Sequence, residues 1–190
     1  WTLNLGGGAL MLGFIGGLVL GMVNAFSKTV KPALAIAYAA FQGLALGTLS
    51  QLYNTVYDGI VSQAILVTIS AFAGMLFAYK SGRIRVTPKF TKVLTTALIG
   101  YLVLALVSFV AFLFTGSSVY NVGGLGLIIA TGGMVLAAFF LILDFDSIQN
   151  GIAAGAPESE SWRAAFGLMV TIIWLYMEVL RVLSILRGND

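Results

Sequence analysis

Asp144 and Glu178 are carboxylates set in long apolar stretches of the chain. An ionised side chain in hydrocarbon is costly and persists mostly where it faces a bundle interior or a wet cavity and performs a task. If the two groups met in a low-dielectric interior, both could not be charged cheaply. They would then titrate as a unit, which makes a proton sensor. Deprotonated, the same oxygens suit a hard cation such as calcium. Arg181 lies three residues after Glu178, on the same helical face. If it neutralises Glu178, the proton switch rests on Asp144.

The meeting of the two acids depends on a hairpin. The midpoint of positions 144 and 178 is 161, inside the expected turn between the last two apolar segments. Residues equidistant from a hairpin turn share a depth, provided both helices extend comparably into it. Other readings compete. Asp144 and Asp146 could mark the membrane surface where the fifth helix ends, and Glu178 with Arg181 could be a structural ion pair. Asp146 is about 200° around a helix from Asp144, so the two do not share one pore-facing side. Gln42, a lone amide in the second helix, suits an interhelical hydrogen bond or a pore wall. Trp174 and Tyr176 read as packing residues.

Composition dictates what positions these groups. Of 190 residues, 59% are hydrophobic and 9% charged, and the mean hydropathy is +1.02. A soluble domain carries roughly 25% charged residues. The chain is therefore an all-α polytopic membrane bundle, one integral domain over residues 1–190. At about 20 residues per span, six helices fit: 6–26, 32–53, 59–79, 88–114, 122–145 and 162–186. Pro32 and Pro88 suit first helical positions and Thr87 an N-cap. Glu158 and Glu160 suit the start of the last helix. Gly116, Ser117 and Ser118 mark one turn, and Gly151, Gly155 and Pro157 another.

With no cysteine and no histidine, disulfides, thiol catalysis, Cys/His metal sites and histidine switches are excluded. An aspartyl hydrolase would need two adjacent carboxylates and a water path, and Arg181 fits that poorly, so no enzymatic activity is expected. The net charge of +3 comes from connecting segments, not from a nucleic-acid face. Lys28 and Lys31, then Lys80, Arg83, Arg85, Lys89 and Lys92, then Arg163 follow alternate helices, whereas Asp58 is the charge of the intervening connections. By the positive-inside rule those basic connections are cytoplasmic; Arg187 is a single charge against this. The Lys80–Lys92 run could also attract anionic lipid. Gly13, Gly17 and Gly21, and also Gly43 and Gly47, have the spacing that lets helix backbones approach, within the chain or between copies.

Two stretches carry a resemblance: Leu143-Asp144-Phe145-Asp146-Ser147-Ile148 and Leu175-Tyr176-Met177-Glu178-Val179-Leu180-Arg181. In their order and spacing they resemble the Bax inhibitor family of membrane proteins, including its bacterial YccA-type members. The Gly-rich start and the Gly43/Gly47 helix are similar too. The resemblance implies a seven-helix bundle whose first helix would precede Trp1, in keeping with a start that is not Met. It implies a pH-sensitive calcium leak with Asp144 and Glu178 as the sensing pair and possible calcium ligands, in a lipid bilayer, here a bacterial plasma membrane. It also implies an alternative: a non-conducting regulator of a membrane protease or another membrane protein. The chain departs from the family pattern in carrying Glu at position 178 and Arg at position 181, and a cation there opposes calcium.

Overall fold

A computed structural model describes residues 7–27, 29–116 and 125–188. In hydrocarbon every backbone N–H and C=O must be satisfied within the segment, which leaves the helix as the choice for a single span. Six helices follow: α1 (Gly7–Phe26), α2 (Pro32–Val56), α3 (Ile60–Lys80), α4 (Pro88–Thr115), α5 (Leu125–Ala153) and α6 (Ser159–Gly188). All six are long and apolar enough to cross a membrane, and the described residues contain no strand. Pro32 and Pro88 occupy first-turn positions, and the Thr87 hydroxyl accepts from the Phe90 N–H at 3.2 Å. The expectations for Trp1, Lys28, Ser117, Ser118 and the start of α5 at Val122 fall on residues outside the described ones.

The largest departure from the sequence reading lies at the α5–α6 hairpin. α5 does not stop at Phe145 but runs eight residues further to Ala153, and α6 begins at Ser159 rather than Trp162. Gly151 is helical, and the turn is made by Gly155 at φ 65°. The Gly155 N–H donates to the Ile152 carbonyl at 3.1 Å and the Ala156 N–H to the Gly151 carbonyl at 3.0 Å. This is the Schellman arrangement, which closes a helix C-terminus on one left-handed glycine. The hairpin therefore pivots near residue 156, not 161.

α6 is the centre of the bundle. With α3 and α5 it forms the main core, where Ile60, Ala64, Leu141, Leu175 and Leu180 are fully buried. A second cluster joins Phe166 of α6 to Val30, Ala35, Tyr38 and Leu20. Both ends of α6 are tied. Arg163 donates to the Ser27 carbonyl at 3.2 Å, and Arg187 donates to the Asp58 carbonyl at 2.6 Å. The α1–α2 and α5–α6 connections thus share one end of the molecule and the α2–α3 turn occupies the other, the alternation the charge pattern requires.

The two glycine stripes behave differently. A Cβ added to Gly13 would lie 2.6 Å from the Ala45 backbone nitrogen, and one on Gly17 would lie 2.8 Å from Gln42 Nε2. The first stripe is therefore an intramolecular α1–α2 contact. Asn24, fully buried, reinforces it by donating to the carbonyls of Leu20 (3.0 Å) and Leu34 (3.2 Å). Gly43 and Gly47 have no neighbour within 4 Å of a would-be Cβ, and they line a cavity instead.

α4 is held differently from every other helix. Of its residues only Leu94 and Ser108 are buried, and it packs mainly on α5. Between the two helices lies a cavity of about 430 Å³, walled by Gly100, Tyr101, Gly132 and Gly133 among others.

Candidate functional site

The short turn sets where each carboxylate lands. Pivoting near 156, α5 and α6 bring Asp144 opposite Gly167 and Thr171. The Asp144 Oδ1 lies 3.9 Å from where a Gly167 Cβ would be, and the carboxylate sits beside the Thr171 side chain. The Thr171 hydroxyl donates to the Gly167 carbonyl at 3.2 Å. Asp144 Oδ2 is buried and has no hydrogen-bond partner.

Glu178 lies elsewhere. It is 3% exposed, and it is seven residues along α6 from Thr171 and eleven from Gly167. At a 1.5 Å rise per residue that is about 10–16 Å. Its level on α5 is Gly133. Tyr101 of α4 crosses that glycine and donates a short hydrogen bond to Glu178 Oε1. Arg181 Nη1 bonds both carboxylate oxygens at 3.0 Å and the Tyr101 hydroxyl at 3.2 Å. The crossing needs a residue without a side chain, because a Cβ on Gly133 would sit 2.8 Å from the Tyr101 oxygen. Trp174 backs the cluster, its ring 5.6 Å from Tyr101 and 5.9 Å from Phe140.

The expectation that Asp144 and Glu178 meet is therefore corrected. It rested on a turn centred on 161, the midpoint of the two acids, whereas the helix ends at Ala153 and Ser159 centre the hairpin near 156. Glu178 and Arg181 are together, as the i,i+3 spacing implies. Asp146 points away from Asp144, toward α3. It accepts from the Tyr79 hydroxyl at 3.1 Å and from Asn150 Nδ2 at 2.8 Å. Gln42 packs over Gly17 and beside Tyr38, a contact between α1 and α2.

Three participants escaped the sequence reading. Tyr101 is a polar-headed aromatic in the middle of a span, away from the interfaces where such residues collect, and that placement is a usable signal. Thr171 and Ser50 carry none, since single hydroxyls are common in spans. Ser50 Oγ lies 2.7 Å from the Tyr176 hydroxyl, so Tyr176 is a polar link as well as a packing residue.

Six helices able to span a membrane, with a buried carboxylate at Glu178 and a half-buried one at Asp144, define a polytopic integral membrane protein with polar groups inside its spans. The family model described as Bax inhibitor 1 like matches residues 1–188, and the chain belongs to that family. No curated protein and no solved structure matches it.

Proposed function

We propose that this protein is a pH-sensitive cation-leak protein, with calcium as its ion, in a bacterial inner membrane, and that it is a YccA-type member of its family. The reading involves no catalysed reaction and no resident cofactor. The observation that carries it is Asp144, a carboxylate in a membrane span with one buried oxygen that no donor satisfies. A charged carboxylate so placed is costly, so its state answers to whatever reaches it, a proton or a cation. Because Asp144 and Glu178 are apart, the switch is not a shared-proton pair. Asp144 is the responsive group and candidate calcium ligand. Glu178, clamped by Tyr101 and Arg181, sets the packing of α4, α5 and α6 against which the switch acts. Asp146 steadies the α3–α5 contact, and Gln42 the α1–α2 contact.

Calcium flux into liposomes carrying the full-length protein, scanned from about pH 5 to 8 across the usual carboxylate-to-neutral range, tests this. The expected result is a pH-dependent flux that Asp144→Asn makes pH-independent. A variant that leaks with an unchanged pH profile sinks the mechanism.

A second reading, a non-conducting regulator of a membrane protease or other membrane protein, is favoured by α4. Nearly all of its surface is open to a partner, and the basic segment from Lys80 to Lys92 leads into it. Co-purification of a membrane partner that survives Asp144→Asn, with no flux in vesicles, would select it.

A further inference from the structure

The cavity between α4 and α5 is walled almost wholly by hydrocarbon. Of its eleven lining residues Tyr101 alone has a polar side chain. That hydroxyl is engaged, donating to Glu178 and accepting from Arg181. A buried water needs two to four polar partners, and this wall offers it none. The space is open to the side: Gly100 and Gly132 are exposed, and Val135 is 45% exposed. In a membrane that side holds acyl chains.

Length and charge say which lipid fits. On α4 the groove runs from Leu94 to Leu104, ten residues or about 15 Å. That is half of a ~30 Å hydrocarbon core, the depth of one leaflet. The groove ends at Phe139, whose ring meets Phe90 at 6.0 Å, and Lys89 is the residue before Phe90. Lys89 lies eleven residues before Gly100, so the two are within about 20° on the helix. The lysine therefore stands over the open edge of the groove. Lys92 lies nine residues before Tyr101, about 180° around from it, and leaves the opposite face. Both lysines are exposed, and neither is ion-paired among the described residues. A lysine stem lies along apolar surface while its ammonium reaches headgroup depth, and basic residues there attract anionic lipid.

We propose that the α4–α5 groove binds one anionic phospholipid from the leaflet on the side of the Lys80–Lys92 segment. One acyl chain lies over Tyr101 and Gly132, and Lys89 holds the phosphate. The lipid thereby packs on the ring whose hydroxyl bonds Glu178. The proposal depends on neither the leak nor the regulator reading.

The test is lipid retention by the full-length protein in detergent micelles, titrated with dioleoyl phosphatidylglycerol or dioleoyl phosphatidylcholine and weighed by native mass spectrometry. One phosphatidylglycerol should bind at least about fivefold more tightly than phosphatidylcholine, the effect of one basic residue at the surface. Lys89→Gln should remove that preference, and Lys92→Gln should keep most of it. Gly132→Phe, at a position with nothing within 4 Å of its Cβ, fills the groove and should abolish retention of the tight lipid with an unchanged unfolding midpoint. If that midpoint moves, Gly100→Leu on the facing helix, where a Cβ is equally free, takes its place. Equal losses from the two lysine variants, or retention indifferent to the filled groove, would mean diffuse attraction to the basic segment, and the proposal falls. It falls also if the parent protein is a dimer in micelles that Gly132→Phe separates, because the groove then seats a second copy.

Discussion

The neighbourhoods of Glu178 and Asp144 lie on the same pair of helices and are built on opposite terms. Around Glu178 the chain supplies a tyrosine from one helix, an arginine from the next turn and a glycine that lets them meet. Around Asp144 it supplies a glycine, one threonine hydroxyl, and a buried oxygen with no donor. A buried ionic group with complete hydrogen bonding fixes one arrangement. A buried acid lacking it is a place where occupancy can change. The comparison teaches that an acid's presence in a span does not assign its role; its partners do.

The comparison breaks first at Glu178. Glu178→Leu removes the acceptor that Tyr101 and Arg181 both use, and should cost about 3 kcal/mol, as for other broken buried pairs. Denaturant unfolding in detergent micelles would show it, and an unchanged midpoint would mean the cluster holds nothing. Gly133→Ala comes next. Its Cβ would press on the Tyr101 ring and hydroxyl at 2.8–2.9 Å, with an expected loss of about 2 kcal/mol from overpacking. Tyr101→Phe keeps the ring and deletes one bond to a charged acceptor, for about 1.5 kcal/mol. Combined with Glu178→Gln in a double-mutant cycle, it should prove non-additive by about 1 kcal/mol, and strict additivity would dissolve the contact. Smallest is Asp144→Asn, expected within about 1 kcal/mol of the parent in either direction because no hydrogen bond to Oδ2 is lost. Its effect belongs to the pH profile of flux, not to unfolding. A destabilisation matching that of Glu178→Leu would make the two neighbourhoods alike.

Much of the fold was legible because lipid enforces it. Six apolar runs, alternating basic connections and two prolines at helix starts led to six helices in the right order. The Gly13/Gly17/Gly21 stripe named a real helix contact. The carboxylate pairing was not legible, because it took the midpoint of the two acids as the centre of the hairpin, and sequence spacing does not place that centre. Residues 146–153 contain Asp, Ser, Asn and Gly, each a weak helix former, and tertiary contact overrides them: Tyr79 of α3 bonds Asp146 and Gln149, which lie in the two turns beyond Phe145. The Gly43/Gly47 stripe meets no other helix among the described residues. Spacing says that two glycines share a face, and not whether another helix comes to it. The Tyr101–Glu178 contact joins residues 77 positions apart through a third helix, and local spacing does not encode such a link.

α6 touches α2, α3 and α5 through its core residues and α4 through the Tyr101 bond, and an arginine at each end fastens it to a connecting segment. A rod clamped at both ends can turn about its own length but cannot lean. Movement of that helix therefore carries the α1–α2 and α2–α3 connections with it, since Ser27 and Asp58 hold its two ends. α4 is the least enclosed of the six helices, with only Leu94 and Ser108 buried and Tyr101 reaching across to α6.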